Sequence, residues 1–168
     1  MKRRSPMAGE QAEEALRRSE EKYRELVQTA NSIIIRWDCH GRITFFNEFA
    51  QSFFGFSQDE IIGRSVIGTI VPETDTSGRD LTALMMDICN HPERHETNVN
   101  ENMLKSGQRV WIAWTNRPVF SDDKDLVEVL SVGVDVTSQR NAEERLRKSE
   151  ERFRRLFESA ADALLLYY

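Results

Sequence analysis

The stretch NVNENMLKSGQRVWIAWTNRPVFSDDKDLVEVLSVGVDVT, residues 98–137, decides the fold. Aromatic and β-branched residues lie on both sides of the turn Lys105–Gln108, which contains a glycine. This pattern predicts a β-hairpin with arms 98–104 and 110–116. The hairpin therefore supplies two neighbouring antiparallel strands of a sheet.

A third strand follows the hairpin directly. The polar turn 121–125 separates the hairpin from the apolar run 127–137, which predicts a long strand with a buried middle. This strand ends in Asp135-Val136-Thr137, and a charged helix begins at Ser138 without any linker. The stretch therefore predicts three antiparallel strands that run straight into a helix.

The first half of the chain predicts two more strands and several helices. Strands are predicted at Ser32–Asp38 and Ile43–Phe46, a short helix at Glu48–Phe54, and a longer helix at Arg79–Asn90. Asn47 is placed to cap the short helix. Helices segregated from an antiparallel sheet define an α+β fold, here with five strands and the helices packed over one face. Such layers leave a pocket between them.

Composition excludes several classes of protein. The chain has 168 residues, of which 39% are hydrophobic and 30% charged, and its net charge of −5 gives no reason to expect a nucleic-acid partner. No apolar run reaches the roughly 18–20 residues needed to span a bilayer. Cys39 and Cys89 are too far apart for a C-x-x-C motif, so no disulfide framework is predicted and a reducing cytoplasm is the expected location.

An internal repeat indicates that the sequence continues an array of similar units. The same offset of 130 residues relates Ala12 to Ala142 and Leu26 to Leu156, across similar charged segments. A repeat of this length is a whole domain with its connector. The predicted divisions are a disordered start at 1–11, a connector helix at 12–30, the domain at 31–137, a second connector helix at 138–160, and the start of a second unit at 161–168, with 164–168 as its first strand.

Both connector helices carry apolar residues at heptad spacing. This seam is short and contains serines, so two interpretations stay open for the first helix: pairing in a homodimer, or folding back of an amphipathic helix onto its own domain. For the second helix we favour a connector that forms a dimer. The seam residues are Leu16, Tyr23, Leu26, Leu146, Phe153 and Leu156.

Several motifs, taken together, resemble the PAS family of sensor domains over residues 20–140. They are ITFFN at 43–47, FGFSQDEIIG at 54–63, Ser106-Gly107, Trp111, Arg117-Pro118-Val119 and Asp135-Val136-Thr137. The resemblance implies a sensor or dimerisation module that holds a small ligand between sheet and helices. It also implies that the last strand passes a change to the following helix and then to an output domain such as a kinase, cyclase or phosphatase elsewhere in the protein.

The resemblance also suggests that one face of the hairpin turns inward. With Leu104 opposite Val110, that face carries the pairs Asn102–Ile112, Asn100–Trp114 and Asn98–Asn116, next to two small residues, Ser131 and Gly133, and below a lid of Leu84, Met85 and Ile88. In the alternative interpretation the three asparagines face water and Val99 and Met103 are buried. Inward asparagines require partners, since an unpaired buried polar group costs about 1–3 kcal/mol.

The sequence gives little support for flavin or haem, two cofactors that the resemblance to the PAS family brings into question. The loop 69–76 before the longer helix lacks the cysteine that a flavin photoadduct would need, and Cys89 inside that helix is interpreted as core packing. A haem would need an axial histidine near the helix, and His91 beside Pro92 is expected to cap the helix or contact solvent instead. The cofactor therefore stays unknown, with a small organic ligand as the open possibility, and no metal site is predicted.

The strand-to-helix junction is the expected output point. Asp135 and Thr137 lie on the same side of the strand end, where both can bond the backbone of the junction. An enzyme is not predicted, because no nucleophile has a recognisable base partner. The rival to a ligand sensor is a constitutive dimerisation spacer without a ligand.

Overall fold

The computed structural model describes the backbone of residues 6–165 and the side chains of residues 13–158. The helices and strands are α1 Pro6–Gln28, β1 Ile33–Asp38, β2 Ile43–Phe46, α2 Glu48–Phe54, α3 Gln58–Ile61, α4 Leu81–Asn90, a 3₁₀ helix Pro92–Arg94, β3 Thr97–Met103, β4 Arg109–Phe120, β5 Leu126–Asp135 and α5 Thr137–Leu165. The predicted α+β class is confirmed.

The five strands form one antiparallel sheet in the order β2-β1-β5-β4-β3. Their side chains alternate between a buried inner face and a more exposed outer face, as β1 shows with Ile33, Ile35 and Trp37 turned inward. Leu81, Leu84 and Ile88 of α4 pack onto this inner face as part of the same core. The core therefore lies between one sheet face and the helices.

The structure contains the predicted hairpin, but the predicted register differs from the observed one by two residues. Asn102 lies opposite Val110, Asn100 opposite Ile112, and Asn98 opposite Trp114. The turn closes earlier than predicted: the Leu104 N–H donates to the Gln108 carbonyl at 2.9 Å, and a left-handed residue, Gly107 with φ 86°, makes this possible. Because the side-chain period of a strand is two, this shift leaves every residue on its predicted face.

Asn47 caps α2 as predicted and also joins three other segments. Its Oδ1 accepts hydrogen bonds from the N–H groups of Ala50 in α2 and Ile34 in β1, at 3.0 and 3.1 Å. Its Nδ2 donates to the carbonyls of Val27 in α1 and Ser32, at 3.1 and 3.0 Å. One fully buried side chain thereby fastens the end of α1 to the sheet.

The two terminal helices extend beyond their predicted bounds. The α1 helix begins at Pro6, inside the stretch 1–11 predicted to be disordered, and residues 1–5 lie outside the described residues. The α5 helix runs through Leu165, so Leu164 and Leu165 are helical where a strand was predicted, while 166–168 lie outside the described residues. Alanine and leucine are strong helix formers, and this local preference continues the helix.

The apolar seam of both helices is exposed. Between 56% and 67% of each seam residue is accessible, so folding back onto the domain, the alternative left open for the first helix, does not occur. The seam residues with this exposure are Leu16, Tyr23, Leu26, Leu146, Phe153 and Leu156.

Candidate functional site

A small cavity lies between α4 and the inner face of the sheet. About 20 Å³ of it is open to the centre of a water molecule, which is room for a single water. Its walls are Ile35, Trp37, Val66, Val71, Met85, Ile88, Asn98, Asn100, Trp114, Asn116 and Ser131.

Polar side chains on the sheet floor form one continuous series of hydrogen bonds. On its first half, Trp37 Nε1 donates to Ser131 Oγ at 3.0 Å, and Ser131 Oγ donates to Asn116 Oδ1 at 2.7 Å. Asn116 Nδ2 then donates to Asn98 Oδ1 at 2.6 Å. The series thus crosses the sheet from β1 through β5 and β4 to β3.

The second half runs along β3. Asn98 Nδ2 donates to Asn100 Oδ1 at 2.8 Å, and Asn100 Nδ2 donates to Asn102 Oδ1 at 3.1 Å. Asn102 Nδ2 ends the series on the carbonyl of Ile70 at 3.0 Å, and Trp114 Nε1 also donates to Asn102 Oδ1 at 3.2 Å. We call the whole set the amide chain: Trp37, Ser131, Asn116, Asn98, Asn100, Asn102 and the Ile70 carbonyl.

The amide chain decides between the two interpretations of the asparagines. Asn100 and Asn102 are fully buried, whereas Val99 points outward with 38% of its surface exposed. Every donor of the amide chain points in the same direction along the series, so the hydrogen bonds polarise one another. In the part of the chain whose side chains are described, every buried polar side-chain atom has a hydrogen-bond partner. The asparagines are inward and satisfy one another.

The predicted pocket residues divide into two groups. Those that line the cavity are Asn98, Asn100, Asn116, Trp114, Ser131, Met85 and Ile88. Those that are buried nearby without lining it are Asn102, Ile112, Gly133 and Leu84.

Gly133 does not leave free volume, as the sequence had suggested. A Cβ on Gly133 would lie 2.6 Å from Cζ3 of Trp114 and 2.9 Å from Cγ2 of Ile112. The Trp114 ring therefore occupies the space that the missing side chain leaves. This packing is one reason why the cavity is small.

The strand-to-helix junction is attached to one residue of β4. The Trp111 N–H donates to Thr137 Oγ1 at 2.8 Å, and the Val136 N–H donates to the Trp111 carbonyl at 2.9 Å. Asp135 Oδ1 accepts from the Thr137 N–H at 2.8 Å, and the Arg140 guanidinium lies 4.0 Å from the centre of the Trp111 ring. Asp135 and Thr137 thus bond the junction as predicted, and Trp111 anchors Val136 and Thr137 to β4.

The histidines near α4 contact a carboxylate rather than the cavity. His91 is the C-cap residue of α4, as predicted, and its Nδ1 lies 2.8 Å from Asp87 Oδ1, while His95 Nε2 lies 2.6 Å from Asp87 Oδ2. Hydrogen bonds from His95 and then His91 hold the pKa of Asp87 below its ordinary value. Within the described residues, no three His, Cys, Asp or Glu side chains come together as metal ligands.

Sequence reasoning missed four contributors to the site. Trp37 could have been found from its alternation with Ile33 and Ile35 on the inner face of β1. Arg140 lies one turn into α5, but its contact with Trp111 depends on how the helix leaves the sheet. The Ile70 carbonyl belongs to a loop and carries no sequence signal. The four are Trp37, Ile70, Trp111 and Arg140.

Comparison with known proteins matches the chain to a family model and to a sensor protein. The family model for the PAS fold matches residues 21–136. The two-component sensor PprA of Pseudomonas aeruginosa is 29% identical over 137 residues, which are 80% of this chain. The chain spans 14% of the length of that sensor.

Solved structures with low sequence identity share the fold. A PAS domain from Colwellia psychrerythraea has a TM-score of 0.59 at 18% identity, covering 70% of this chain and 97% of that one. A sensory box histidine kinase/response regulator structure from Burkholderia thailandensis has a TM-score of 0.56 at 19% identity, covering 80% of this chain and 98% of that one. Across the described residues, no helix combines the length and apolarity that a bilayer crossing requires.

Proposed function

Because the chain belongs to the PAS family, we propose that it senses a small polar molecule at the amide chain and transmits the change to α5. Signal transduction as a sensory module is the role that the family match and the related two-component sensor support. The finer statement, a ligand at the amide chain, rests on one observation: a directional hydrogen-bond series forms the floor of the cavity.

A ligand at this site must exchange hydrogen bonds rather than fill vacant ones. A molecule that inserts between Asn98 and Asn100 replaces their 2.8 Å bond with two bonds of its own and so redirects the neighbouring amides. Anything larger than water must also displace the cavity wall. Met85 on α4 is a suitable wall residue, since methionine is flexible and repacks easily.

The path from cavity to helix follows β4. Ile112 faces the core, and the preceding residue, Trp111, faces outward and holds Val136 and Thr137. A shift of β4 that accommodates a ligand therefore moves both groups that anchor the start of α5. This coupling requires two arrangements of the junction with different ligand affinity.

The seam residues of α1 and α5 complete the proposal. Their exposed apolar side chains favour a homodimer in which the connector helices pair, so that a change at the junction alters the geometry of that pair. The domain is regulatory rather than catalytic and acts in the cytoplasm, with an output domain and a second PAS unit elsewhere in a longer protein.

A ligand-free dimerisation spacer is the second candidate. The observation that favours it is the completeness of the amide chain, in which all the buried groups are paired around a cavity of only about 20 Å³.

Native mass spectrometry, compared with the same sample denatured, separates the two candidates. The sensor predicts a small molecule bound only in the native protein, lost in Asn100→Leu and retained in Thr115→Val, a neighbouring outer-face control. A protein that remains bare after incubation with a low-molecular-mass extract of its expression host would favour the spacer.

A further inference from the structure

A second groove shares walls with the cavity and contains both cysteines. It has a volume of about 400 Å³ and is lined in part by Trp37, Met85 and Val66, which also line the cavity. Cys39 follows the last residue of β1, and Cys89 lies on α4, so the groove separates one end of the sheet from the helix that covers the cavity.

Both thiols are free and line the same groove. Cys39 is exposed and its Sγ lies 3.0 Å from the Leu126 carbonyl, to which it donates. Cys89 is half-buried and packs against the core, as the sequence had suggested, and each thiol affects the pKa of the other. Residues 50 positions apart in the chain are thus brought together by the packing of α4 on the sheet.

Their environments give the two thiols different chemistry. Burial, followed by the negative charge of Cys39, raises the pKa of Cys89 to about 11. Burial and Asp38 also raise the pKa of Cys39, but a hydrogen bond from Cys89 acts in the opposite direction. Cys39 is exposed whereas Cys89 is half-buried, so a peroxide from solvent reaches Cys39 first, and the thiolate is the reactive form of cysteine.

We propose that Cys39 and Cys89 are a redox modification site that forms a disulfide with a peroxide and so ties α4 to the end of β1. The Cys39 thiolate attacks one oxygen of hydrogen peroxide, which breaks the O–O bond, releases hydroxide and leaves a sulfenic acid on Cys39. The sulfur of Cys89 then attacks the Cys39 sulfur, forms the S–S bond and expels water. Two thiols lose two hydrogen atoms, and the peroxide is reduced to two waters.

Two physical consequences follow for the rate and the lifetime of this disulfide. The reaction is slow at neutral pH, because little thiolate is present, and its rate rises about tenfold per pH unit below the thiol pKa. Thiols of high pKa are poor leaving groups, so the disulfide is reduced slowly once formed. The cross-link fixes α4 against β1 and does not depend on whether the cavity takes a ligand.

The test treats the 168-residue protein with hydrogen peroxide and maps its peptides without reduction. We expect the intact mass to fall by two hydrogen atoms and a peptide to appear that joins Cys39 to Cys89, at a rate independent of protein concentration. Oxidation to sulfinic acid without a cross-link, or cross-links only between molecules, would overturn the proposal.

Two variants and one dynamic measurement assign the roles. In Cys89→Ser the reaction should stop at a sulfenic acid on Cys39 that dimedone traps, while Cys39→Ser should react far more slowly. Equal rates in both variants would contradict the assignment of Cys39 as nucleophile. In the oxidised wild type, amide hydrogen exchange across α4 should slow at least tenfold. Unchanged exchange would show that the disulfide does not fix α4 against β1.

Discussion

The inner and outer faces of β3, β4 and β5 differ although the same strands make both. On the inner face, Asn100 and Asn116 are buried in the amide chain, each with defined partners. On the outer face, Val99 and Val134 are 38% and 58% exposed and contribute apolar surface. The inner face therefore holds its side chains through defined partners, whereas the outer face at Val99 and Val134 leaves apolar surface exposed.

The strand backbones connect the inner face to the start of α5. The hydrogen bonds of Trp111 to Val136 and Thr137 are made by or to its main chain, not by its indole. A change on the inner face must therefore move a strand before it reaches the helix. The following predictions test how unequal the two faces are.

The largest difference is expected between neighbours on β4. Asn116→Leu removes one member of the amide chain and leaves the Ser131 hydroxyl, the Asn98 oxygen and the His95 carbonyl without their partner. The free energy of unfolding should fall by about 3 kcal/mol or more, because each unpaired buried group costs about 1–3 kcal/mol. Urea denaturation measures this change.

The outer-face control for this variant is Thr115→Val. Thr115 is exposed, so its substitution should change the free energy of unfolding by less than about 0.5 kcal/mol. Similar losses in both variants would mean that the two faces of β4 do not differ in the way the structure indicates.

A second pair on β5 tests packing rather than hydrogen bonding. Gly133→Ala places a methyl group 2.6 Å from the Trp114 ring and should cost about 2 kcal/mol through overpacking. Val134→Thr on the outer face should cost less than about 0.5 kcal/mol. Thermal unfolding compares the two, and a neutral Gly133→Ala would show that the ring moves freely.

The junction should give a smaller and more local effect. Thr137→Val removes the hydroxyl that accepts from the Trp111 N–H and should cost about 1 kcal/mol. Hydrogen exchange should quicken at Trp111 and in the first turn of α5, but not in α4. Ser138→Ala is the matched control, and faster exchange across the whole domain in Thr137→Val would contradict a local role.

The smallest effect concerns acid, because the amide chain contains no ionisable side chain. Lys105, with help from the Ser57 backbone, lowers the pKa of Glu60 to about 2 from its ordinary 4.5. A lowered carboxyl pKa stabilises the fold above the ordinary value and loses that contribution as the pH falls from about 4.5 to about 2. Glu60→Gln should flatten this part of the stability profile, while side-chain amide NMR signals of Asn100 stay unchanged until global unfolding. If those signals changed before global unfolding, protonation at the surface would be affecting the buried amide chain, which contradicts this prediction.

The sequence allowed the fold to be predicted more fully than the site. The resemblance to the PAS family suggested that the asparagines turn inward, and this survived a two-residue error in register because strands have a period of two. The error itself came from the turn, where the left-handed Gly107 closes the hairpin earlier than a count of apolar residues suggests.

The size of the cavity could not be predicted. Gly133 suggested free space, but the orientation of the Trp114 ring fills it, and a side-chain orientation follows from packing that only the folded chain defines. The Ile70 carbonyl that ends the amide chain is 32 residues from Asn102 and carries no side-chain signal. Local patterns predict the strands, whereas cavity volumes and hydrogen-bond partners depend on the assembled layers.

The anchoring of α1 through Asn47 has a geometrical consequence. Asn47 holds the incoming helix at the end of β2, and Trp111 holds the outgoing helix on β4, three inter-strand steps away in the order β2-β1-β5-β4. Neighbouring strands are rotated against each other, so any change in twist accumulates over those three steps. The angle between the two helices therefore depends on the sum of the rotations between these strands.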